Sequence, residues 1–293
     1  MGHRSGFVAI LGRPNTGKST LVNALVGEKV SIVSDKPQTT RGRIRGVVNG
    51  EGFQMVLTDT PGFHKPRTLL GERLNEMVGE STGDVDAVVL VVDGAAGVGR
   101  GDGFVARQKV APLSCLKVCC VNKVDRLSRA GIVVQLDAAS KLADFDHIVP
   151  VSARTGAGVM ELLEVLGAAL PEGPAHFPES DVTDQPLEAR VAEIVREKAL
   201  AATREELPHS IATEIEEMDR EEGLVRVHCL VLVERDSQKG IVIGKGGEML
   251  KRIGTEARRE LEALLGQQVY LELRVKVLRD WQRDPKALTR LGY

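Results

Sequence analysis

Eight consecutive residues, Gly12 to Ser19 (GRPNTGKS), hold two glycines, a lysine and a hydroxyl at the spacing that wraps backbone around a phosphate chain. The stretch follows the strand-like FVAIL and precedes the helical pattern TLVNALVG. In that context backbone N–H groups and a helix N-terminus face phosphate oxygens, Lys18 reaches the β and γ groups, and the Ser19 hydroxyl ligates Mg2+. Asn15, Thr16, Gly17, Lys18, Ser19 and Thr20 are the candidate contacts on this side. The plain alternative is a Gly-rich turn with an exposed lysine, and the strand-loop-helix context argues against it.

A phosphate loop does not choose a base. Asn122-Lys123-x-Asp125 follows the apolar run LKVCCV, and a carboxylate at Asp125 can accept from both N1–H and the exocyclic amine of guanine. Adenine has no such donor pair on that edge. VSAR, with Ser152, Ala153 and Arg154, follows the next strand pattern, and ligands of open α/β sheets bind at the carboxyl ends of strands. Asp59 in DTPG ends another strand pattern, where it can hold Mg2+ through a water while Gly62 offers its N–H to a γ-phosphate. SDKPQTTRGRIRG lies between and carries Thr39 and Thr40; it reads as a loop ordered by Mg2+ and γ-phosphate, or else as an ordinary turn or strand start. GTP or GDP with Mg2+ is the expected ligand set.

These loops need a scaffold. From Phe7 to about Leu170, FVAIL, FQMVLTD, DAVVLVVD, LKVCCVNK and HIVPVSA alternate with helical patterns, which predicts an α/β domain with a mainly parallel sheet covered on both faces. Residues 171–186 contain four of the chain's 12 prolines and read as a linker. From 187 to 293 the pattern becomes a small α+β domain. It runs through a helix at 187–202, an acidic tract, a strand at GLVRVHCLVLVER, a Gly-rich turn, a helix at 247–265 and a strand at QVYLELRVKV.

The Gly-rich turn is the second chemical centre. Gly244, Lys245, Gly246 and Gly247 follow the apolar Ile243 and precede a helix bearing Lys251 and Arg252. A GxxG loop lets a nucleic-acid backbone come close, since a side chain at either glycine would obstruct it. The formal net charge of -2 points to no nucleic acid, but the charge is divided: Lys239 to Arg290 holds 12 Lys and Arg against 7 Asp and Glu, whereas Glu205 to Glu222 holds 8 acids against Arg220. The acidic tract reads as a solvated face, and Trp281 and Tyr293 as packing or chain-end residues. Cys115, Cys119, Cys120 and Cys229 have no metal spacing and read as buried thiols in a reducing compartment. No run is long enough to span a membrane, so a soluble, cytoplasmic protein is expected.

The ordered set GRPNTGKST, PQTTR, DTPGFH, NKVD, VSA, LPHSIA, GIVIGKGG, VKVLRDW and the terminal LGY resembles the bacterial Era family of ribosome-assembly GTPases over nearly the whole chain. The resemblance implies a P-loop GTPase domain at 1–170, a linker at 171–186 and a type II KH RNA-binding domain at 187–293. It implies Thr40 as the Mg2+ ligand of the first switch beside Ser19 and Asp59, and Ser152 to Arg154 closing over guanine. It implies slow GTP hydrolysis and binding of 16S rRNA near its 3′ end during 30S maturation, by a monomer with no DNA partner. Family members are associated weakly with the inner face of the membrane, although no amphipathic anchor is visible in this sequence.

Phe63 falls where Ras-like enzymes carry a water-orienting glutamine, and a phenyl ring makes no such hydrogen bonds. In related GTPases with an apolar residue there, a phosphate-loop asparagine helps hold K+; Asn15 has that position, and capping the loop is its other role. Lys18, Asn15, Thr40 and Gly62 are thus the candidate catalytic group. Thr16 departs from the small apolar residue usual in relatives. A metabolic or tRNA-modifying enzyme with a regulatory GTPase domain is the rival reading, but residues 187–293 offer no Cys-His, paired-carboxylate or metal-ligand cluster. A nucleotide-free adaptor conflicts with the intact motifs.

Overall fold

A computed structural model describes residues 2–293 except Pro37, His64, Lys65, Arg67, Arg204, Glu205 and Glu206. Pro37 of PQTTR, His64 of DTPGFH and the first two acids of the acidic tract thus lie outside the described residues. The chain forms two compact units. One comprises most of the chain up to Asp184; the other is Gln185–Tyr293 with Ser34–Thr39 and a short stretch ending at Leu70.

In the first unit the elements run β1 (Arg4–Leu11), α1 (Lys18–Val26), β2 (Ile44–Gly50), β3 (Phe53–Asp59), α2 (Leu69–Glu80), β4 (Ala87–Asp93), α3 (Arg100–Val105), β5 (Leu116–Asn122), α4 (Arg129–Ser140), β6 (His147–Pro150) and α5 (Val159–Ala169). The sheet order is β2-β3-β1-β4-β5-β6, parallel except for β2 against β3. Its central strands are apolar throughout because both faces are covered. Val8, Ile10, Val89 and Val91 pack on one side with Leu21 and Val22 of α1 and Leu162 of α5. The alternate residues Ala9, Leu11, Val88 and Leu90 pack on the other with Val78 of α2 and Ala139 of α4.

Two features of this unit differ from the sequence reading. β2 begins inside the polar stretch after Thr40 and was not among the five strand patterns; it is an edge strand paired with β3, and Val48 packs in the core with Val22 and Leu25 of α1. The proline-rich stretch after residue 170 is bonded along the unit rather than loose. Val47 N–H donates to Val182 O at 2.9 Å, and buried Gln54 donates to Phe177 O at 2.8 Å. Proline removes ladder donors, so these side-chain and single backbone bonds hold the stretch without making it a strand.

The second unit contains α6 (Leu187–Ala202), α7 (Leu207–Ser210), β7 (Ala212–Glu221), β8 (Leu224–Val233), α8 (Asp236–Ile243), α9 (Glu248–Leu265), β9 (Gln268–Val277) and α10 (Pro285–Arg290). β8 lies between antiparallel β7 and parallel β9. Ile253, Ala257 and Leu261, four residues apart on α9, form one buried stripe against Val191 and Val195 of α6 and the inner residues of β8.

Here too the reading needs correction. The acidic tract is largely strand β7: Thr213 is buried, Ile215 and Met218 pack against the core, and the acids take the other positions around a bulge after Ile215. The stretch before the Gly-rich turn forms a helix absent from the sequence reading, and Ile241 to Ile243 are its last residues; Val242 is buried while Ile241 is 55% exposed. Trp281 is fully buried and donates from Nε1 to Ser210 O at 3.0 Å, a packing residue as read. The four cysteines are thiols, and burial pushes Cys119 and Cys229 up to about 12, which leaves them protonated and inert.

Candidate functional site

The loop between β1 and α1 takes its shape from positions where a side chain is excluded. Gly12 and Gly17 have φ of 151° and 92°; a Cβ on Gly17 would lie 2.4 Å from Asn122 Nδ2, and one on Gly12 2.4 Å from Val91 O. Asn15 also has positive φ, at 64°. Gly17 gives α1 no side-chain cap, so the first-turn N–H groups face the loop interior. Thr16 is buried and donates from Oγ1 to Arg13 O at 3.1 Å, so its extra hydroxyl is satisfied within the loop and the backbone cradle stands.

Lys18 is buried and donates to the carbonyls of Gly12 and Arg13 at 3.2 and 2.9 Å. Desolvation lowers its pKa to about 8 against the opposing pull of the Asp59 carboxylate. Ser19 Oγ and Thr40 Oγ1 are 2.9 Å apart, and Thr40 Oγ1 donates to Asp59 Oδ2 at 3.3 Å. Asp59 is fully buried, and desolvation raises its pKa against the charge of Lys18 and the hydroxyl bonds. Among the described residues its Oδ1 has no hydrogen-bond partner. Two hydroxyls beside a buried carboxylate with one orphaned oxygen fit a small hard cation such as Mg2+.

A recess of about 340 Å3 opens beside the loop, lined by Gly17, Thr20, Val33, Asn122, Lys123, Asp125, Arg126, Ala153 and Arg154. Its walls are cross-tied. Asn122 donates to Thr16 O at 3.0 Å and accepts from Ala153 N at 3.1 Å, while Lys123 Nζ donates to Asn15 O and Asp93, each at 2.7 Å. Ser152 donates to Asp125 Oδ1 at 2.7 Å, leaving the exposed carboxylate oriented at the mouth. Val33, Arg126 and Asp93 carry no motif signal, and only the fold reveals their place here.

Gly62 packs so closely that a Cβ would approach the Pro14 backbone to 2.7 Å, and the next N–H, of Phe63, donates to Gly12 O at 3.3 Å. The Phe63 ring stacks on Phe104 with centroids 5.8 Å apart, and Lys109 Nζ lies 5.1 Å from its centre. Phe104 lies in the last turn of α3, and Lys109 sits in the π-helical turn Ala106–Val110 that continues it. The same helix is fastened to the phosphate loop by Arg13, whose Nε and a terminal nitrogen donate to buried Asp102 at 2.8 and 2.9 Å. Sequence reasoning missed Asp102, Phe104 and Lys109, which are brought in by contacts with Arg13 and Phe63, about forty to ninety residues away in the chain.

In the second unit, Gly244, Gly246 and Gly247 have φ of 75°, 61° and 83°. A Cβ on Gly244 would strike Met249 Cβ at 2.6 Å, whereas one on Gly247 meets open space. Lys245 and Gly246 are exposed. From the loop a groove of about 510 Å3 runs between α9 and β9, lined by Gly247, Leu250, Lys251, Gly254, Thr255, Arg258 and Tyr270 to Leu273. Lys251 stands in it. Arg252 does not; its guanidinium donates to Met249 Sδ at 3.2 Å and Ala202 O at 3.5 Å. Ile243 closes α8 and is also outside the lining.

Comparison with known proteins gives these sites a lineage. A family profile described as 50S ribosome-binding GTPase matches residues 7–123, and a KH domain profile matches residues 206–282. The chain is 52% identical over 295 residues to GTPase Era of Mycobacterium tuberculosis H37Ra, covering 99% of this chain and 98% of the relative. It is 53% identical to GTPase Era of Mycolicibacterium paratuberculosis, covering 99% of both. Among solved structures, Era in complex with MgGDPNP and nucleotides 1506–1542 of 16S ribosomal RNA superposes with a TM-score of 0.96 at 40% identity over 99% of both chains. A tyrosine-to-alanine variant of Era from Aquifex aeolicus bound to GDP·AlF4− gives 0.95 at 40% identity and the same coverage. With identity of this level spanning the phosphate loop, the guanine recess and the GxxG groove alike, the chain belongs to the Era family of GTPases.

Proposed function

We propose that the protein is a GTP-hydrolysing switch that binds 16S ribosomal RNA near its 3′ end and assists assembly of the 30S subunit. The observation that carries the reading is one chain holding both a guanine-shaped recess with an oriented Asp125 and an open GxxG groove. Asp125 accepts the two guanine donors while Ser152 fixes its rotamer. First-turn N–H groups of α1 bind phosphate oxygens, and Lys18, costly as a buried cation, regains its full charge beside them. Ser19, Thr40 and Asp59 are the residues that would hold Mg2+, which would supply positive charge against the charge developing on the phosphates. Exchange of Thr40's bonds to Ser19 and Asp59 for a shared Mg2+ would couple its loop to the bound nucleotide, which is what a switch requires.

Phe63 cannot orient water, and its ring is occupied by Phe104 and Lys109, so the attacking water is aligned by other groups. The Gly62 N–H is one. Asn15, exposed and in a left-handed backbone conformation, is the second candidate as a K+ ligand; a hydrolysis rate higher in K+ than in Na+, with the advantage lost in Asn15→Ala, is the expected result. Equal rates in both salts remove the K+ role and leave Asn15 as a loop residue.

Among the described residues no helix is long and apolar enough to cross a membrane. A monomer acting on the 30S subunit in the cytoplasm, without DNA, fits this reading best; membrane contact rests on family resemblance alone. Crosslinking in cells followed by sequencing of bound RNA tests the whole: reads concentrated at the 3′ end of 16S rRNA are expected, and reads scattered over transcripts would overturn it.

A further inference from the structure

The groove between α9 and β9 does not end where the GxxG loop can reach. At Arg258 and Tyr270, which line both, it opens into a second depression of about 750 Å3, walled by Leu224 and Arg226 of β8 on one side and by Glu262 and Gln267 on the other. Tyr270 stands at the junction, on an edge strand, with 48% of its surface exposed. It is outside the apolar cluster that holds this unit together. Arg226 is its partner across the parallel β8–β9 pair, with the guanidinium 6.0 Å from the ring centre, and the His228 ring is 6.2 Å away.

A tyrosine half in water gives the fold little, because the buried part of its ring is small and its neighbours are polar. The same ring, flanked by two arginines and continuous with a nucleic-acid groove, has the make-up of a stacking platform. Every base has a π-face, and arginine adds cation–π attraction and a phosphate partner. Each arginine has an acid beside it: Glu262 lies 4.0 Å from Arg258, and Glu221 accepts from Arg226 Nε at 3.1 Å; both pairs are solvent-exposed and weak enough for a phosphate to compete. β9 from Gln268 to Leu273 spans about 17 Å at roughly 3.3 Å per residue. A KH groove clamps four backbone nucleotides, so the strand has length beyond the clamp to carry more.

We infer that the RNA strand leaving the GxxG groove continues onto this surface, with one further base stacked on Tyr270 and the adjoining phosphate held by Arg258 and Arg226. The inference rests on the RNA-binding reading above. It lengthens the recognised segment beyond the four-nucleotide clamp and adds a contact that is tolerant of base identity.

The test is fluorescence anisotropy of the full chain with oligonucleotides copied from the 3′ end of 16S rRNA, grown from four to ten nucleotides at either end. Tyr270→Ala should leave the four-nucleotide affinity unchanged and weaken the longest by about five- to thirtyfold, the loss expected for one stacked base. Tyr270→Phe should retain most of the affinity, since the ring stacks without its hydroxyl. An abasic site at the added position should cost the unaltered protein the same factor and Tyr270→Ala nothing more. Equal losses at all lengths would show that Tyr270 only supports the groove, and no loss at any length would leave the patch for a protein partner; either result overturns the inference. If no oligonucleotide binds the unaltered protein, while GTP binding is intact, it is the RNA reading itself that falls.

Discussion

The nucleotide recess and the RNA groove solve opposite problems with the same small set of residues. In the recess, glycines are forced by close approach: added Cβ atoms at Gly12, Gly17 and Gly62 would meet protein atoms at 2.4 to 2.7 Å. The ends of β1, β4, β5 and β6 are cross-tied there by Asn122 and Lys123. In the GxxG loop, Gly246 and Gly247 have nothing within 4 Å, and positive φ is their only internal demand. A small ligand held on all sides needs walls fixed before it arrives; a polymer sliding along an edge needs a surface kept bare. Single substitutions should therefore change the choice of ligand in the first region and the approach of ligand in the second.

The largest effect should come from Asp125→Asn. It loses the charge-assisted pair to guanine, at about 1.5–3 kcal/mol for each such hydrogen bond, while Asn keeps an oxygen for Ser152. GDP affinity should drop at least a hundredfold and XDP should be preferred, as measured by competition binding. ADP binding as tightly as GDP to the unaltered protein would refute the guanine assignment.

Next is Gly247→Asp, which should lower RNA affinity more than tenfold and leave GTP binding intact, because the carboxylate projects into open space where a phosphodiester approaches. Gly244→Asp confounds two causes, since its Cβ collides with Met249 and would disturb the start of α9. Unchanged RNA binding by a folded Gly247→Asp protein would reduce the loop to a turn.

How much of this contrast was readable beforehand follows from the same physics. The phosphate loop, NKVD, DTPG and GKGG are contiguous, and their work is done by backbone and by residues adjacent in the chain, so spacing alone exposes them. β7 was hidden because an edge strand with one solvated face carries acids at every outward position. α8 was hidden because Ile241 to Ile243 form a β-branched run and Val242 is the one residue of this short helix that is buried, too few to show a helical period. Asp102, Phe104, Lys109 and Tyr270 belong to no motif; each acquires meaning from a partner distant in sequence.

A smaller effect separates the regions by pH. Lys18 is charged in the unfolded chain up to its ordinary value of 10.5 but only to about 8 in the folded site. Its depressed pKa makes the unfolded state bind more protons between those values, so the nucleotide-free protein should gain stability as pH rises from about 8 toward 10.5. Nucleotide phosphates restore the charge. GDP binding at pH 8 without magnesium should thus take up about half a proton, visible by calorimetry in buffers of different ionisation enthalpy and absent in Lys18→Met. RNA binding should show no uptake from this source.

The smallest effect expected is also the one that tests whether the RNA loop works by approach rather than by charge. Lys245 is exposed in the middle of the GxxG loop, where its ammonium can meet a phosphate but only across water-rich surroundings. One screened contact is worth little, and losing it should reduce the slope of log affinity against log salt by about 0.7, the share of one phosphate on a single strand. Lys245→Ala should accordingly weaken RNA a few-fold at low salt and by a vanishing amount near 1 M, where the screening length is only about 3 Å. Gly247→Asp, acting partly through bulk, should keep much of its deficit at high salt. Anisotropy titrations of both variants across that range decide the matter. Parallel salt dependence in the two would mean that the bare glycines matter chiefly for the charge that replaced them, and the proposed close approach of the RNA backbone would lose its support.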